Sequence, residues 1–181
     1  MTRLFVAVEL PEDIKERLAA CRGGIEGARW QNTEQMHLTL RFIGEVDPLR
    51  QADIHAALAS LRFTPFQVTL AGIGLFGKAR KPRALWVGVE DAKPLRHLHE
   101  KIIHSLLGAG VAPEERKFMP HVTLARFSGG RARRLEDFLD HYAGLALPAF
   151  DVRSFALISS HLSQAGARYR VEETFPARSR P

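Results

Sequence analysis

The tetrapeptide His-x-Thr-Leu occurs twice, as His37-Leu38-Thr39-Leu40 and His121-Val122-Thr123-Leu124, and the segments flanking the two copies repeat as well. Phe5-Val6-Ala7-Val8-Glu9 matches Trp86-Val87-Gly88-Val89-Glu90 at an offset of 81, while the tetrapeptides match at 84. Phe66-Gln67-Val68 matches Phe150-Asp151-Val152 at 84 again. A near-constant offset with one three-residue insertion marks a duplicated strand–helix–strand–helix–strand module. Two like modules about a pseudo-twofold axis would bring equivalent strands together, so His37 and His121 are expected to face each other across a central cleft.

The local patterns fit this plan. Residues 3–9 read as a strand, and Pro11 with Glu12 and Asp13 opens a helix to about residue 24, acidic residues suiting the positive end of the helix dipole. Further strands are expected at 36–43, 66–75, 84–90, 121–127, 150–159 and 168–174, and helices at about 48–62, 93–107 and 133–142. Leu95, Leu98, Ile102 and Leu106 form one apolar stripe. The whole chain, 1–181, is expected to be a single domain, with repeats over 3–76 and 84–162 and the strand at 168–174 completing it.

Lys and Arg outnumber Asp and Glu by 26 to 20, a net charge of +6, which suits an anionic partner such as nucleic acid. One cysteine, Cys21, excludes an intrachain disulfide and a thiolate zinc site. No apolar run approaches the roughly 18 residues of a membrane span, and no signal-peptide core follows the start, so a cytoplasmic protein without membrane contact is expected. No metal motif is present, and Gly72-x-Gly74-x-x-Gly77 runs into Lys78-Ala79-Arg80-Lys81-Pro82-Arg83 rather than a helix, which argues against a dinucleotide site. That basic run and Arg131, Arg133 and Arg134 read either as phosphate contacts or as solvated loops.

In a strand each motif histidine shares a face with its threonine. Phosphodiester hydrolysis needs a base for the attacking water and an acid for the leaving oxygen, and imidazole titrates nearest neutrality. Thr39 and Thr123 add hydroxyl donors for the charge that develops on phosphoryl oxygens. By strict alternation Arg41 belongs to the same face. His97, His99 and His104 fall on one helix without the spacing that puts neighbours on one face.

The stretches His37-Leu38-Thr39-Leu40-Arg41-Phe42-Ile43-Gly44 and Pro120-His121-Val122-Thr123-Leu124-Ala125-Arg126 resemble the two signatures of the two-histidine phosphoesterase superfamily, in particular its LigT-like branch, the RNA 2′,3′-cyclic phosphodiesterases. The resemblance runs from Leu4-Phe5-Val6-Ala7-Val8 to Phe175-Pro176. It implies an α+β, bilobal fold with antiparallel sheets around the cleft and helices outside. The activity it implies is hydrolysis of a terminal 2′,3′-cyclic phosphate to a 2′-phosphomonoester without metal or cofactor. On it, His37 is the proton donor and His121 the acceptor, Arg126 contacts phosphate and Phe42 stacks on the base. Strict alternation points Arg126 and Phe42 away from the cleft, so a bulge or twist would have to turn them inward.

The expected partner is an RNA or oligonucleotide end bearing the cyclic phosphate, with no obligate protein partner and a monomeric state. Two alternatives use the same cleft: formation of 2′–5′ linkages by RNA ligation, and RNA binding without catalysis.

Overall fold

In the computed structural model, which describes residues 1–130, 132–163 and 166–178, ten strands and four helices form two four-stranded antiparallel sheets and one two-stranded sheet. The strands are β1 (Thr2–Glu9), β2 (Ala28–Trp30), β3 (His37–Val46), β4 (Phe66–Val68), β5 (Leu70–Lys78), β6 (Lys81–Val89), β7 (Val122–Phe127), β8 (Phe150–Val152), β9 (Ser154–Ser163) and β10 (Gly166–Pro176). The helices are α1 (Glu12–Ala20), α2 (Pro48–Ala59), α3 (Lys93–Gly108) and α4 (Leu135–His141). The α+β architecture with antiparallel sheets is therefore as expected.

Helix limits follow from local chemistry. Asp47 caps α2 by accepting the Arg50 amide at 2.8 Å, with Pro48 in the first turn. The expected α3 stripe of Leu95, Leu98, Ile102 and Leu106 is fully buried. Burying each such side chain contributes roughly 1.5–3 kcal/mol. α1 ends earlier than the pattern suggests, at Ala20, because Cys21 takes the C-cap position and Gly23 and Gly24 follow with positive φ.

One sheet has the order β10-β9-β1-β3 and the other β2-β7-β6-β5. Each lobe thus borrows from the other half of the chain: the first takes β9 and β10, the second takes β2 and β5. The sequence repeats and the spatial lobes do not coincide. β4 and β8 pair with each other at the seam, where the Gln67 amide donates to Asp151 at 3.3 Å.

The two faces of β1 separate the core from the cleft. Leu4, Val6 and Val8 join a large core with Ile14, Leu18, Ile54, Leu58 and the α3 stripe. Phe5 and Ala7 point to the opposite face, where they cluster with Ala156, Ile158 and Tyr169. With both faces covered, β1 is buried from Leu4 to Val8, which explains its unbroken apolar run.

Strand register corrects the repeat alignment. Ala7 lies opposite Thr39, whereas Trp86 lies opposite Thr123. The equivalent positions in β1 and β6 are therefore Ala7 and Trp86, an offset of 79 rather than 81. A slip of two residues keeps every side chain on its face, so the sequence pattern does not distinguish the two alignments. The basic segment after Phe76 is also tighter than expected. β5 and β6 continue to the pair Lys78–Lys81, leaving only Ala79 and Arg80 in the turn.

Candidate active site

His37 opens β3 and His121 immediately precedes β7. These strands belong to different sheets, yet approach each other between the lobes. Each imidazole sits in an aromatic box. His37 packs on Phe5 with ring centroids 4.8 Å apart and on Tyr169 at 5.2 Å. His121 meets Phe76 edge-on at 4.9 Å and Trp86 at 6.1 Å. The Trp86 indole lies over Gly74, where an added Cβ would come within 2.3 Å of the ring, so glycine is required for this packing.

Each histidine is also tethered two residues upstream. His121 Nδ1 donates to the Met119 carbonyl at 2.6 Å, which leaves Nε2 for the cleft. His37 has the corresponding backbone hydrogen bond with Gln35. Such a bond fixes the tautomer and the ring orientation.

Strict alternation fails in both motif strands, in the same way. Val6 lies opposite Arg41 and Ala7 opposite Thr39, so Leu40 is the extra residue of a β-bulge. Leu85 lies opposite Ala125 and Trp86 opposite Thr123, so Leu124 is the extra residue in the second copy. Each bulge puts two successive side chains on the core side and reverses the phase of the residues beyond it.

Arg41 therefore does not share the His37–Thr39 face, contrary to the alternation argument. It is only 7% exposed, its Nη1 pairs with Glu114, and its Nη2 donates to the Ala112 carbonyl at 2.5 Å. Its pseudo-symmetric counterpart, Ala125, is buried too. The same bulges turn Phe42 and Arg126 toward the cleft. Phe42 lies opposite Phe5, with rings 5.7 Å apart, and is 62% exposed. Arg126 takes the equivalent position opposite Ala84 and is exposed. One lobe thus presents an aromatic ring where the other presents a guanidinium. Thr39 and Thr123 remain on the histidine faces, opposite Ala7 and Trp86.

Arg126 acts electrostatically on both imidazoles. Burial drives the His37 pKa down to about 4, opposed by the Gln35 hydrogen bond and reinforced by the charges of Arg126, His121 and Lys15. Burial also lowers that of His121, again reinforced by Arg126. Both shifts favour the neutral imidazole.

Several contributors carry no signal in the sequence. Phe5, Phe76, Trp86 and Tyr169 read as ordinary strand apolar residues. Spacing alone gives His99 no role, yet its Nδ1 bonds the Leu40 carbonyl at 2.8 Å and its ring stacks on Phe118 at 4.1 Å. It joins the first bulge to the segment leading into His121. His55, which has no companion nearby in sequence, pairs with Glu173. Of the basic patches, Arg133 and Arg134 flank the start of α4, while Arg131 lies outside the described residues. Among the described residues no group of three or more His, Cys, Asp or Glu is arranged to hold a metal ion. No helix among them is long and apolar enough to cross a membrane.

Two facing His-x-Thr strands on duplicated, bulged frames define a phosphoesterase of the two-histidine class. The chain belongs to the LigT like Phosphoesterase family, whose profile matches residues 8–86 and again 87–169. It is similar to the RNA 2′,3′-cyclic phosphodiesterase of Aeropyrum pernix, with 39% identity over 76% of this chain and 80% of that one. The enzyme of the same name from Thermotoga maritima is 32% identical over 93% of this chain and 92% of its own. Among solved structures, the protein TT0787 of Thermus thermophilus superposes with a TM-score of 0.79 at 28% identity, covering 97% of this chain and 98% of that one.

Proposed function

We propose that the cleft hydrolyses the terminal 2′,3′-cyclic phosphate of RNA to a 2′-phosphomonoester, without a metal ion. The observation that carries this reading is the pair of His-x-Thr faces on strands from separate sheets, both imidazoles lying within the field of one arginine. The names of the relatives at 39% and 32% identity support the same substrate class.

The phosphate lies between the lobes, its non-bridging oxygens receiving the hydroxyls of Thr39 and Thr123 and the guanidinium of Arg126. These donors meet the charge that grows in the transition state. His121 takes a proton from water as the water oxygen attacks phosphorus. The bond from phosphorus to the 3′ oxygen breaks, and His37 delivers a proton to that oxygen, leaving a free 3′ hydroxyl. Phe42 carries the terminal base.

A neutral His37 cannot supply that proton, so the incoming phosphodiester must first raise its pKa. The negative charge of the substrate does this, opposing the cationic neighbours that depress it. Binding at neutral pH is therefore accompanied by uptake of a proton.

The test is end-group analysis of a cyclic-phosphate oligonucleotide incubated with the protein in EDTA. A 2′-phosphate product is expected. A 3′-phosphate, a ligated product, or an absolute need for added metal would overturn the mechanism.

A further inference from the structure

Arg29 on β2 lies directly opposite Arg126 on β7, and both are exposed. Directly opposed residues of an antiparallel pair share a face, and like charges placed so repel each other. Arg126 lies opposite Ala84, which lies opposite Phe76, the ring packed on His121. One row across the second sheet therefore runs from the catalytic aromatic box to two adjacent arginines at the sheet edge. An anion lying over that edge relieves the repulsion built into it.

The row does not end at open solvent. At the same end of the sheet, a groove runs between the β5–β6 turn and the start of α4, lined by Arg80 on one side and Arg133 and Arg134 on the other. Its walls are fixed. The Glu26 amide donates to the Arg133 carbonyl at 3.2 Å, tying the segment to the residues just ahead of the strand that carries Arg29. The two-residue turn holds Arg80 four residues from Phe76, on the order of 10 Å along the strand. Arg134 has φ 62, the only positive φ of a non-glycine among the described residues, a conformation that costs a side-chain-bearing residue energy.

Glu136 and Asp137 also line the groove, and the arginines have carboxylate neighbours. Those contacts are loose: Arg133 lies 3.6 Å from Glu26 and Arg134 3.9 Å from Asp137, with all four side chains more than half exposed. Exposed pairs at such distances contribute little and are readily exchanged for a phosphate.

Resting on the function proposed above, we infer that the RNA strand upstream of the cyclic end leaves the cleft over Arg29 and Arg126. It continues through this groove, where Arg80, Arg133 and Arg134 meet its phosphates. The first lobe offers an aromatic ring at the position equivalent to Arg126, so the two lobes divide the substrate, base to one and backbone to the other. The preferred substrate is an oligonucleotide rather than a mononucleotide.

The test compares the wild type with the triple variant Arg80→Ala/Arg133→Ala/Arg134→Gly, glycine being the residue that accepts φ 62 without strain. Two substrates are used: a nucleoside 2′,3′-cyclic monophosphate and a hexanucleotide ending in a cyclic phosphate. The variant is expected to lose at least roughly tenfold in kcat/KM on the hexanucleotide, while the mononucleotide stays within about twofold. The slope of log kcat/KM against log salt for the hexanucleotide should flatten by about 2, the value for three phosphate contacts on a single strand.

An equal loss on both substrates, or no loss on either, overturns the inference. Equilibrium binding of a labelled hexanucleotide 3′-phosphate, by fluorescence anisotropy, separates it from the catalytic reading. Groove-dependent binding without turnover of either cyclic phosphate leaves the groove standing and removes the proposed reaction. Binding that is indifferent to the triple substitution removes the groove, whatever the turnover.

Discussion

Arg41 and Glu114 form an ion pair beneath the cleft, 73 residues apart in sequence, the arginine buried and the carboxylate largely so. Together with the bond from Arg41 to the Ala112 carbonyl and the His99 bridge from Leu40 to Phe118, it straps the segment ahead of His121 to the bulge behind His37. The two His-x-Thr frames are thereby tied to each other by residues outside the His-Thr faces.

Removing one member of this pair leaves a buried charge uncompensated. Glu114→Ala is expected to cost about 2–4 kcal/mol, somewhat below the usual range for a fully buried pair because the carboxylate is partly exposed. Urea denaturation measures it. A neutral result would mean that the strap contributes nothing to the fold. If Arg41 instead bound phosphate, Arg41→Lys would raise KM with little change in stability.

Replacing His37 or His121 by alanine should each lower kcat by roughly 10²–10⁴, the range for a positioned acid or base. Single-turnover kinetics with a cyclic-phosphate substrate read this directly. Full activity in either variant refutes the pairing.

Stability should depend on pH through His37. Its folded pKa of about 4 lies below the unfolded value of 6.5, so the unfolded chain binds the proton more readily between them. The contribution of a neutral His37 is complete above pH 6.5 and is lost as pH falls toward 4, amounting to at most about 3 kcal/mol. Burial of His121 acts in the same direction. Stability profiles of wild type and His37→Asn should therefore differ in slope between about pH 4 and pH 6.5 and run parallel outside that window. Parallel curves throughout would contradict the depressed pKa.

Arg126→Ala removes a charge that depresses both imidazoles. The variant should show both histidine pKa values displaced upward, read by NMR titration of the rings. Unmoved pKa values would place Arg126 outside the field of the site.

Phe42→Ala should raise KM with little effect on kcat, by roughly 5- to 150-fold, corresponding to the 1–3 kcal/mol of one base–aromatic stack. An unchanged KM would exclude Phe42 as the base platform.

The periodic elements are legible in the sequence because their signals are local. The α3 stripe, the β1 run and the two His-Thr faces each depend on residues a few positions apart. Strict alternation misplaces Arg41 because the bulges at Leu40 and Leu124 arise from pairing with β1 and β6, strands whose partners no local pattern names. The three-residue β2 is too short to leave a pattern, yet it carries Arg29 beside Arg126. The aromatic boxes stay hidden because Phe5, Phe76 and Trp86 look like core residues until the sheet faces are known. The duplication itself is legible, but not the interchange of strands between its products.

That interchange governs how the molecule can be taken apart. β1 pairs with β9, and β7 with β2, so each sheet is stitched from both ends of the chain. Although duplication gave each half its own histidine, neither half contains a complete sheet to fold upon. Cutting the polypeptide at the Ala79–Arg80 turn should yield two fragments that are unstructured alone and regain both sheets, and the reaction with them, only on mixing. Such long-range pairing also makes folding slow relative to a helical protein of this size. The protein is an interlocked pair of sheets rather than two joined halves, so neither half can be removed without unmaking the other's sheet.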